Sequence, residues 1–367
     1  MATLETAIAL RALRYPVDVI VYFDEIDPAM LNSFRSASVC VRQLRLQRKV
    51  GVAAQVRLGA ALCAALVRGR YSLVWVQYMT PTVTPLIVAR LFCRHLIAAV
   101  HVAVGQFRGQ GLRRIRWFAR HWCSRVVCVS LTVAEGIFHC GRSDFWCLER
   151  VLVIPNALDV GEVKTACARE WRAELHWRQD MAVIGFSGRL AYIKGPDVLV
   201  QAAALVIRAG VRAGFVFVGD GADRRQLELM TEQLGIRSNS HFVGRLARDC
   251  IYPAIKGFDI AVVPSREEGF GLSALEAMAA GVALIASNVD ALAELVVDGQ
   301  TGLLCRVDDP TDLADKLIRL IDNDPLRHKL GLAASIRATA VYGRQSHQTR
   351  IAALLGDLGL GPPLERA

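Results

Sequence analysis

The chain has 367 residues, of which 53% are hydrophobic and 21% charged, with a formal net charge of +10 at pH 7. That length holds two ordinary globular domains, each with its own core. Arg or Lys interrupts every long apolar run, which argues against a membrane-spanning helix. The ten Cys include no C-x-x-C pair, which argues against a structural zinc site. The first five residues, Met1-Ala2-Thr3-Leu4-Glu5, lack the basic segment of a secretory signal, so a cytoplasmic location is expected.

In chain order, residues 3–14 read as a helix, with Leu4, Ala7, Ile8 and Leu10 apolar. Val17 to Phe23 reads as a strand, and a polar stretch follows. Val52 to Val67 is rich in Ala and Leu and reads as a packed helix. Leu73–Val76, Leu96–Val100 and Val126–Val129 are short apolar runs separated by helical patterns, the signature of a parallel sheet covered on both faces. From Pro28 through Ala134 there is no Asp or Glu, while sixteen Lys and Arg fall there. That half carries a positive field, suited to an anionic membrane surface, a phosphorylated acceptor or nucleic acid. Within it, Leu112 to Trp122 places Arg113, Arg114, Arg116 and Arg120 among Trp117, Phe118 and Trp122 at helical spacing. Such a helix either lies in a membrane interface or packs its aromatics on the sheet.

Val151–Ile154 is a strand stopped by Pro155, and residues 159–180 read as a linker plus a helix. A second alternating series begins at Ala182–Ser187 and continues through Phe215–Val218, His241–Val243, Ile260–Val263, Ala283–Ala286 and Gly302–Leu304. Two doubly wound halves facing a cleft are expected. The domains are expected at residues 1–157 and 158–345, with a C-terminal helix over 346–367 returning toward the first.

Three strand ends of the second half carry chemistry. Gly188-Arg189-Leu190-Ala191-Tyr192-Ile193-Lys194-Gly195 sets two cations five residues apart before a helix, a site for a diphosphate. Val218-Gly219-Asp220-Gly221 is a second glycine turn. The third runs from Ser265 to Gly281, where Glu268 precedes a helix and Glu276, eight residues on, lies inside it. Gly269 and Gly271 between them allow a ligand close to the backbone. Taken alone each of these is an ordinary loop; in series they converge.

This order of pieces closely resembles family 4 of the retaining glycosyltransferases, of GT-B fold, also called glycosyl transferases group 1. Ser187-Gly188-Arg189-Leu190 with Lys194-Gly195, Val218-Gly219-Asp220-Gly221, Phe242-Val243-Gly244 and Glu268-Gly269-Phe270-Gly271-Leu272-Ser273-Ala274-Leu275-Glu276 carry the likeness. Asn156-Ala157-Leu158-Asp159 and Asp298-Gly299-Gln300-Thr301-Gly302 extend it, so that residues 151–325 match in motif and the first half only in layout. The resemblance implies a hexosyl transfer from a nucleoside diphosphate sugar to a lipid-linked or saccharide acceptor, in cell-envelope or exopolysaccharide synthesis, at the inner face of the membrane. It implies that Glu268 faces the donor sugar and Glu276 the ribose hydroxyls, with Arg189 and Lys194 on the diphosphate and Gly269, Phe270, Gly271 and Leu272 lining the donor. His101, ending a strand, matches a frequent cleft His. No metal or other cofactor is expected, the nucleotide sugar being a substrate. Nucleic acid is not an expected partner, because no stacking motif for single strands is present.

Two departures stand out. Asp290-Ala291 replaces paired glycines that usually precede the position of Glu294. The family also begins with a strand and a glycine-rich loop, whereas here Leu4 to Leu10 already reads as the first helix. The first strand of the N-terminal domain is therefore expected to be missing, through a late start or a truncation. A chain without that acceptor side is alternatively a non-catalytic nucleotide-sugar-binding protein.

Overall fold

The structure, a computed structural model, describes residues 2–24, 27–102, 105, 107, 109–139 and 149–361. Arg108 of the acid-free stretch and residues 362–367 of the expected C-terminal helix lie outside them. The chain forms two compact units, Met1–Ala157 with Arg344–Ala367, and Leu158–Gly343.

In the first unit α1 (Ala2–Ala12) leads to β1 (Asp18–Phe23), α2 (Pro28–Ser36), β2 (Cys40–Leu46), α3 (Val52–Gly69), β3 (Leu73–Val76), α4 (Thr84–Phe92), β4 (His95–Val100), α5 (Gly109–Trp122), β5 (Arg125–Cys128), α6 (Leu131–Phe138) and β6 (Val151–Val153). Every strand pair is parallel, as apolar strands joined by helices require. The strands do not form one sheet. β1 pairs with β2 in a two-stranded sheet, and β3-β4-β5-β6 form a separate one.

The stretch read as polar after β1 holds α2 and β2. Asp27 caps α2, accepting from the Ala29 N–H at 2.8 Å, and Pro28 sets the first helical turn. β2 escapes a reading based on continuous apolar runs because its Arg42 and Arg45 interrupt Val41, Leu44 and Leu46.

α3 is long and apolar enough, by length and composition, to cross a membrane, which narrows the expectation that no such segment exists. Its Leu58, Leu62, Ala65 and Leu66 are buried at helical spacing, and the helix packs on α4. Val52, Val56 and Val67 face outward. The C-terminal helix Arg344–Asp357 packs Ile351 and Leu355 against Ala9 of α1. Its first residue, Arg344, donates twice to the buried Glu5 carboxylate, at 2.6 and 2.9 Å.

The second unit carries β7 (Ala182–Ser187), β8 (Ala213–Val218), β9 (Ser240–Gly244), β10 (Ile260–Val263), β11 (Ala283–Ser287) and β12 (Leu303–Cys305). The helices are α7 (Val160–Thr165), α8 (Trp171–Glu174), α9 (Pro196–Arg208), α10 (Arg224–Gln233), α11 (Arg248–Lys256), α12 (Leu272–Ala280), α13 (Asp290–Leu295), α14 (Pro310–Ile321) and α15 (Asp324–Tyr342). The sheet order is β12-β11-β10-β7-β8-β9, all parallel. One continuous core spans it, from Leu199 of α9 through Phe215 and Ile184 to Leu317 of α14, with Phe217 stacked on Phe242 at 4.6 Å. Successive strands step outward in opposite directions from β7 and β10, so a crevice opens at the carboxyl ends of these two neighbours.

Candidate active site

The loops that leave β7 and β10 are locked to each other. Gly195 ends the β7 loop at φ 64°, and a Cβ there would come within 2.0 Å of the Pro264 carbonyl oxygen, so only glycine fits. The Arg266 N–H donates to the Ile193 carbonyl at 2.9 Å. Arg266 then forks onto Asp197 at 2.7 and 2.8 Å, pairs with Asp308 at 2.7 Å and lies 3.8 Å over the Tyr192 ring. These carboxylates hold its guanidinium above the ordinary arginine range, with Asp197 the larger cause. Arg266 is thus a brace, which sequence reading passed over because an Arg beside two acids looks solvated. The β8 turn joins the same array, since Gly188 N donates to Val218 O at 2.9 Å and Leu190 N to Asp220 O at 3.0 Å.

Within this frame Lys194 and Glu268 form an ion pair, with the Glu268 side chain 8% exposed and that of Lys194 26%. Ser265 Oγ donates to the same Glu268 oxygen at 3.0 Å, and Ser287 Oγ donates to the Ser265 carbonyl. Ser265 is 1% exposed, a second contributor that sequence reading did not single out. One cation of the β7 loop and one acid of the β10 loop are therefore held together. Arg189, by contrast, is exposed and forms no ion pair among the described residues.

Beyond Glu268 the chain turns through Gly271, at φ 94°, directly into α12. A Cβ on Gly271 would meet Leu292 Cδ2 at 2.5 Å, so α13, which starts at Asp290, packs close to this turn. No side chain caps α12. Its first intrahelical bond is from Leu275 N to the Gly271 carbonyl, so the N–H groups of Leu272, Ser273 and Ala274 lack intrahelical acceptors and suit oxygens of an anion or a sugar. Phe270 is buried with its ring edge-on to Tyr342 at 5.8 Å, so it offers a ligand its backbone, not its ring.

Glu276 lies about one turn inside α12. Removal from water pushes its carboxyl up to about 7, against the opposing charge of Arg248. Two further motif residues are structural. Asp159 caps α7, accepting from Glu162 N at 3.1 Å, and Asp298 accepts from Leu304 N at 2.8 Å to close its turn. His101 belongs to the first unit, where its Nε2 lies 3.3 Å from Gln77 Oε1 and its ring rests against Tyr78 at 4.8 Å. Burial pushes its imidazole down to about 4, so it is neutral at pH 7. Among the described residues no three His, Cys, Asp or Glu side chains gather as metal ligands would.

Residues 168–337 match the profile of the family described as glycosyl transferases group 1. The second unit belongs to the glycosyl transferases group 1 family. Among similar proteins, the alpha-D-kanosaminyltransferase of Streptomyces kanamyceticus is 30% identical over 248 residues, 67% of this chain and 64% of that protein. The D-inositol 3-phosphate glycosyltransferase of Stackebrandtia nassauensis is 35% identical over 195 residues, 51% of this chain and 44% of its own length. The chain thus spans less than two thirds of these relatives. Over most of its length the chain is similar in fold to HepE of Anabaena, crystallised with UDP and glucose. It superposes with a TM-score of 0.81 at 21% identity, covering 96% of this chain and 95% of HepE. The sucrose-phosphate synthase of Thermosynechococcus elongatus follows at 0.77 and 21%, covering 96% and 91%. Both support an α/β, GT-B architecture with two Rossmann-like halves.

Proposed function

We propose that this chain is a retaining glycosyltransferase that moves a hexosyl group from a nucleoside diphosphate sugar to a lipid-linked or saccharide acceptor. The observation that carries the reading is the Lys194–Glu268 pair, braced by Arg266 and Ser265 beside the uncapped start of α12. In this reading the diphosphate draws on the remaining N–H groups of Lys194, with Arg189 reaching it from the surface. Departure of the nucleotide builds negative charge on the diphosphate oxygens. A cation and helix-terminal N–H groups already in place stabilise that charge as it grows, without waiting for solvent to reorganise. Glu268, fixed by its two donors, faces the sugar, and no metal ion is needed to offset the charge. His101 is assigned to donor or acceptor as a neutral imidazole. Retention fits a front-face attack assisted by the leaving diphosphate.

A thermal-shift screen of nucleoside diphosphate sugars tests the reading, because a donor that binds the native state alone raises the melting point by mass action. No stabilisation by any of them defeats it. The ribose assignment of Glu276 makes a separate prediction. A carboxylate accepts two hydroxyl hydrogen bonds, and protonation removes part of that capacity. Because the carboxyl titrates at about 7, nucleotide affinity rises from pH 6 to pH 8. Glu276→Gln, measured by calorimetric titration, flattens this dependence; an unchanged slope removes Glu276 from the site.

The acceptor side is read from the surface of the first unit. Arg113, Arg114, Trp117 and Arg120 are exposed on α5, while Ile115 and Ala119 hold its other face inside. Leu91 and Phe92 at the end of α4 and Val52 and Val56 on α3 are also exposed. Cations among outward aromatics and aliphatics suit an anionic lipid surface, which supports the reading of a cytoplasmic enzyme held at the inner face of the membrane. The chain is expected to sediment with phosphatidylglycerol vesicles at low salt and not with phosphatidylcholine vesicles. Trp117→Ala with Arg113→Ala and Arg114→Ala weakens that binding at least tenfold. Equal binding to both lipids counts against the surface.

A further inference from the structure

The turn that opens α12 rests on a helix too short to hold itself. α13 has six residues, fewer than two turns, and its N-cap Val289 makes no side-chain hydrogen bond. Asp290-Ala291, in place of the glycines usual there, favours a helix with a defined end. Burial of Leu292 and Leu295 fixes its inner face. Its carboxyl end is fixed from far along the chain. Arg337, on α15, donates from Nε to the Leu295 carbonyl and from Nη2 to the Glu294 carbonyl, each at 3.0 Å. These are the last two residues of α13, whose carbonyls a helix leaves without N–H partners of its own. A planar guanidinium spans two adjacent carbonyls, which a lysine ammonium does not reproduce.

α15 is itself pinned to α12. A Cβ on Gly331 would come within 2.1 Å of the carbonyl oxygen of Gly281, the residue that ends α12, so the two meet backbone to backbone there. Ser335 Oγ, one turn further along α15, donates to the Ala279 carbonyl at 3.4 Å. Both contacts lie at the far end of α12 from the turn. Arg337 therefore keeps a set place relative to α12, and what it grips is placed relative to that helix as well.

From Arg337 two lines of contact reach adjacent residues of the turn. Through α13, both buried leucines close on Gly271, where a Cβ would lie 2.5 Å from Leu292 Cδ2 and 3.7 Å from Leu295 Cδ2. Along α15, the guanidinium lies 5.9 Å from the centre of the Tyr342 ring, and that ring meets Phe270 edge-on at 5.8 Å. Phe270 and Gly271 immediately precede the N–H groups of Leu272, Ser273 and Ala274 that open toward a ligand. A shift of either residue carries those groups with it, because the Gly271 carbonyl accepts the first bond of α12.

We propose that Arg337 is a positioning residue for glycosyl transfer: by clamping the end of α13 and the Tyr342 ring to α15, it holds Phe270 and Gly271 where the N–H groups that begin α12 meet the diphosphate. It touches no substrate. The inference rests on the donor-site reading for the chemistry that the clamp serves, but the clamp itself is measured without a ligand.

The test uses Arg337→Met, which keeps an apolar stem and removes both N–H donors, and Arg337→Lys, which keeps the charge without the fork. In the parent chain Leu275 N is bonded to the Gly271 carbonyl at 3.0 Å, so hydrogen exchange at the Leu275 amide reads the turn. That exchange is expected to quicken about tenfold in Arg337→Met, as two lost bonds to a charged group ease local opening, and less in Arg337→Lys. Exchange in the core strand β8 stays at the parent rate. With the nucleotide sugar found by the thermal-shift screen, kcat/KM falls about tenfold or more in Arg337→Met, the cost of a small misplacement of groups that meet the reacting centre. If no nucleotide sugar binds the parent chain, the donor-site reading fails and the exchange at Leu275 still decides the clamp. A lowered melting point with Leu275 exchanging at the parent rate makes Arg337 a stabiliser only and overturns the proposal. Quickening shared equally by β8 overturns it too, and so does parent kcat/KM in Arg337→Met.

Discussion

Lys194→Ala is expected to lower kcat for glycosyl transfer by about 100- to 1000-fold, the usual cost of deleting one preorganised group that meets growing charge. The loss falls mainly on kcat, because the charge on the leaving diphosphate is greatest in the transition state. The deletion also leaves Glu268, 8% exposed in its side chain, without its cation and dependent on Ser265. Lys194→Arg recovers little, since a planar fork does not reproduce a compact ammonium on the same Glu268 oxygen. The measurement is steady-state transfer with the donor found by the thermal-shift screen, with circular dichroism to confirm an intact fold. Transfer at the parent rate in Lys194→Ala sinks the site assignment. Donor binding retained with transfer lost is the expected pattern.

A comparably large effect is expected within the first unit, on stability. Arg344→Ala strips the bidentate partner from Glu5, whose side chain is 1% exposed. Breaking a fully buried pair costs about 3–5 kcal/mol, and the 37% exposure of Arg344 reduces this to roughly 2–3 kcal/mol. Urea unfolding followed by exchange at the amides of α1 and the C-terminal helix reads the change. Adding Glu5→Gln to Arg344→Ala recovers part of the loss, because the residue left behind is then neutral. No shift in the unfolding midpoint for Arg344→Ala contradicts the account.

Legibility in the sequence followed burial. In the second unit most strands are apolar runs buried on both faces, and turn residues bound them, so their places could be read to within two residues. In the first unit β2 was missed because Arg42 and Arg45 alternate with its apolar positions, as happens on an edge. The division into two sheets could not be read at all, because pairing is a property of neighbours and each strand alone looks interior. At the site, the convergence of the Lys194 and Glu268 loops was legible from their strand ends, but the direct ion pair between the two side chains, 74 residues apart, was not. The brace was hidden for another reason. Nothing local distinguishes Arg266, gripped by Asp197 and Asp308, from the solvated Arg it resembles. Asp159 and Asp298 show the converse, motif residues whose observed work is to cap a helix and close a turn.

The second unit interrupts the first: the chain leaves at Ala157 and returns only at Arg344. Its own two ends meet, with Leu158 N bonded to Tyr342 O at 3.0 Å, so it is complete once residue 343 has been made. The first unit is not. Glu5 has no Arg344, and Ala9 no Ile351 or Leu355, until the segment after Gly343 leaves the ribosome. At about 5–20 residues per second, the 339 residues between Glu5 and Arg344 make α1 wait roughly 17 to 70 seconds for its covering partner. The later-made half therefore finishes folding first. A premature stop near the carboxyl end would spare that half and damage the amino-terminal one.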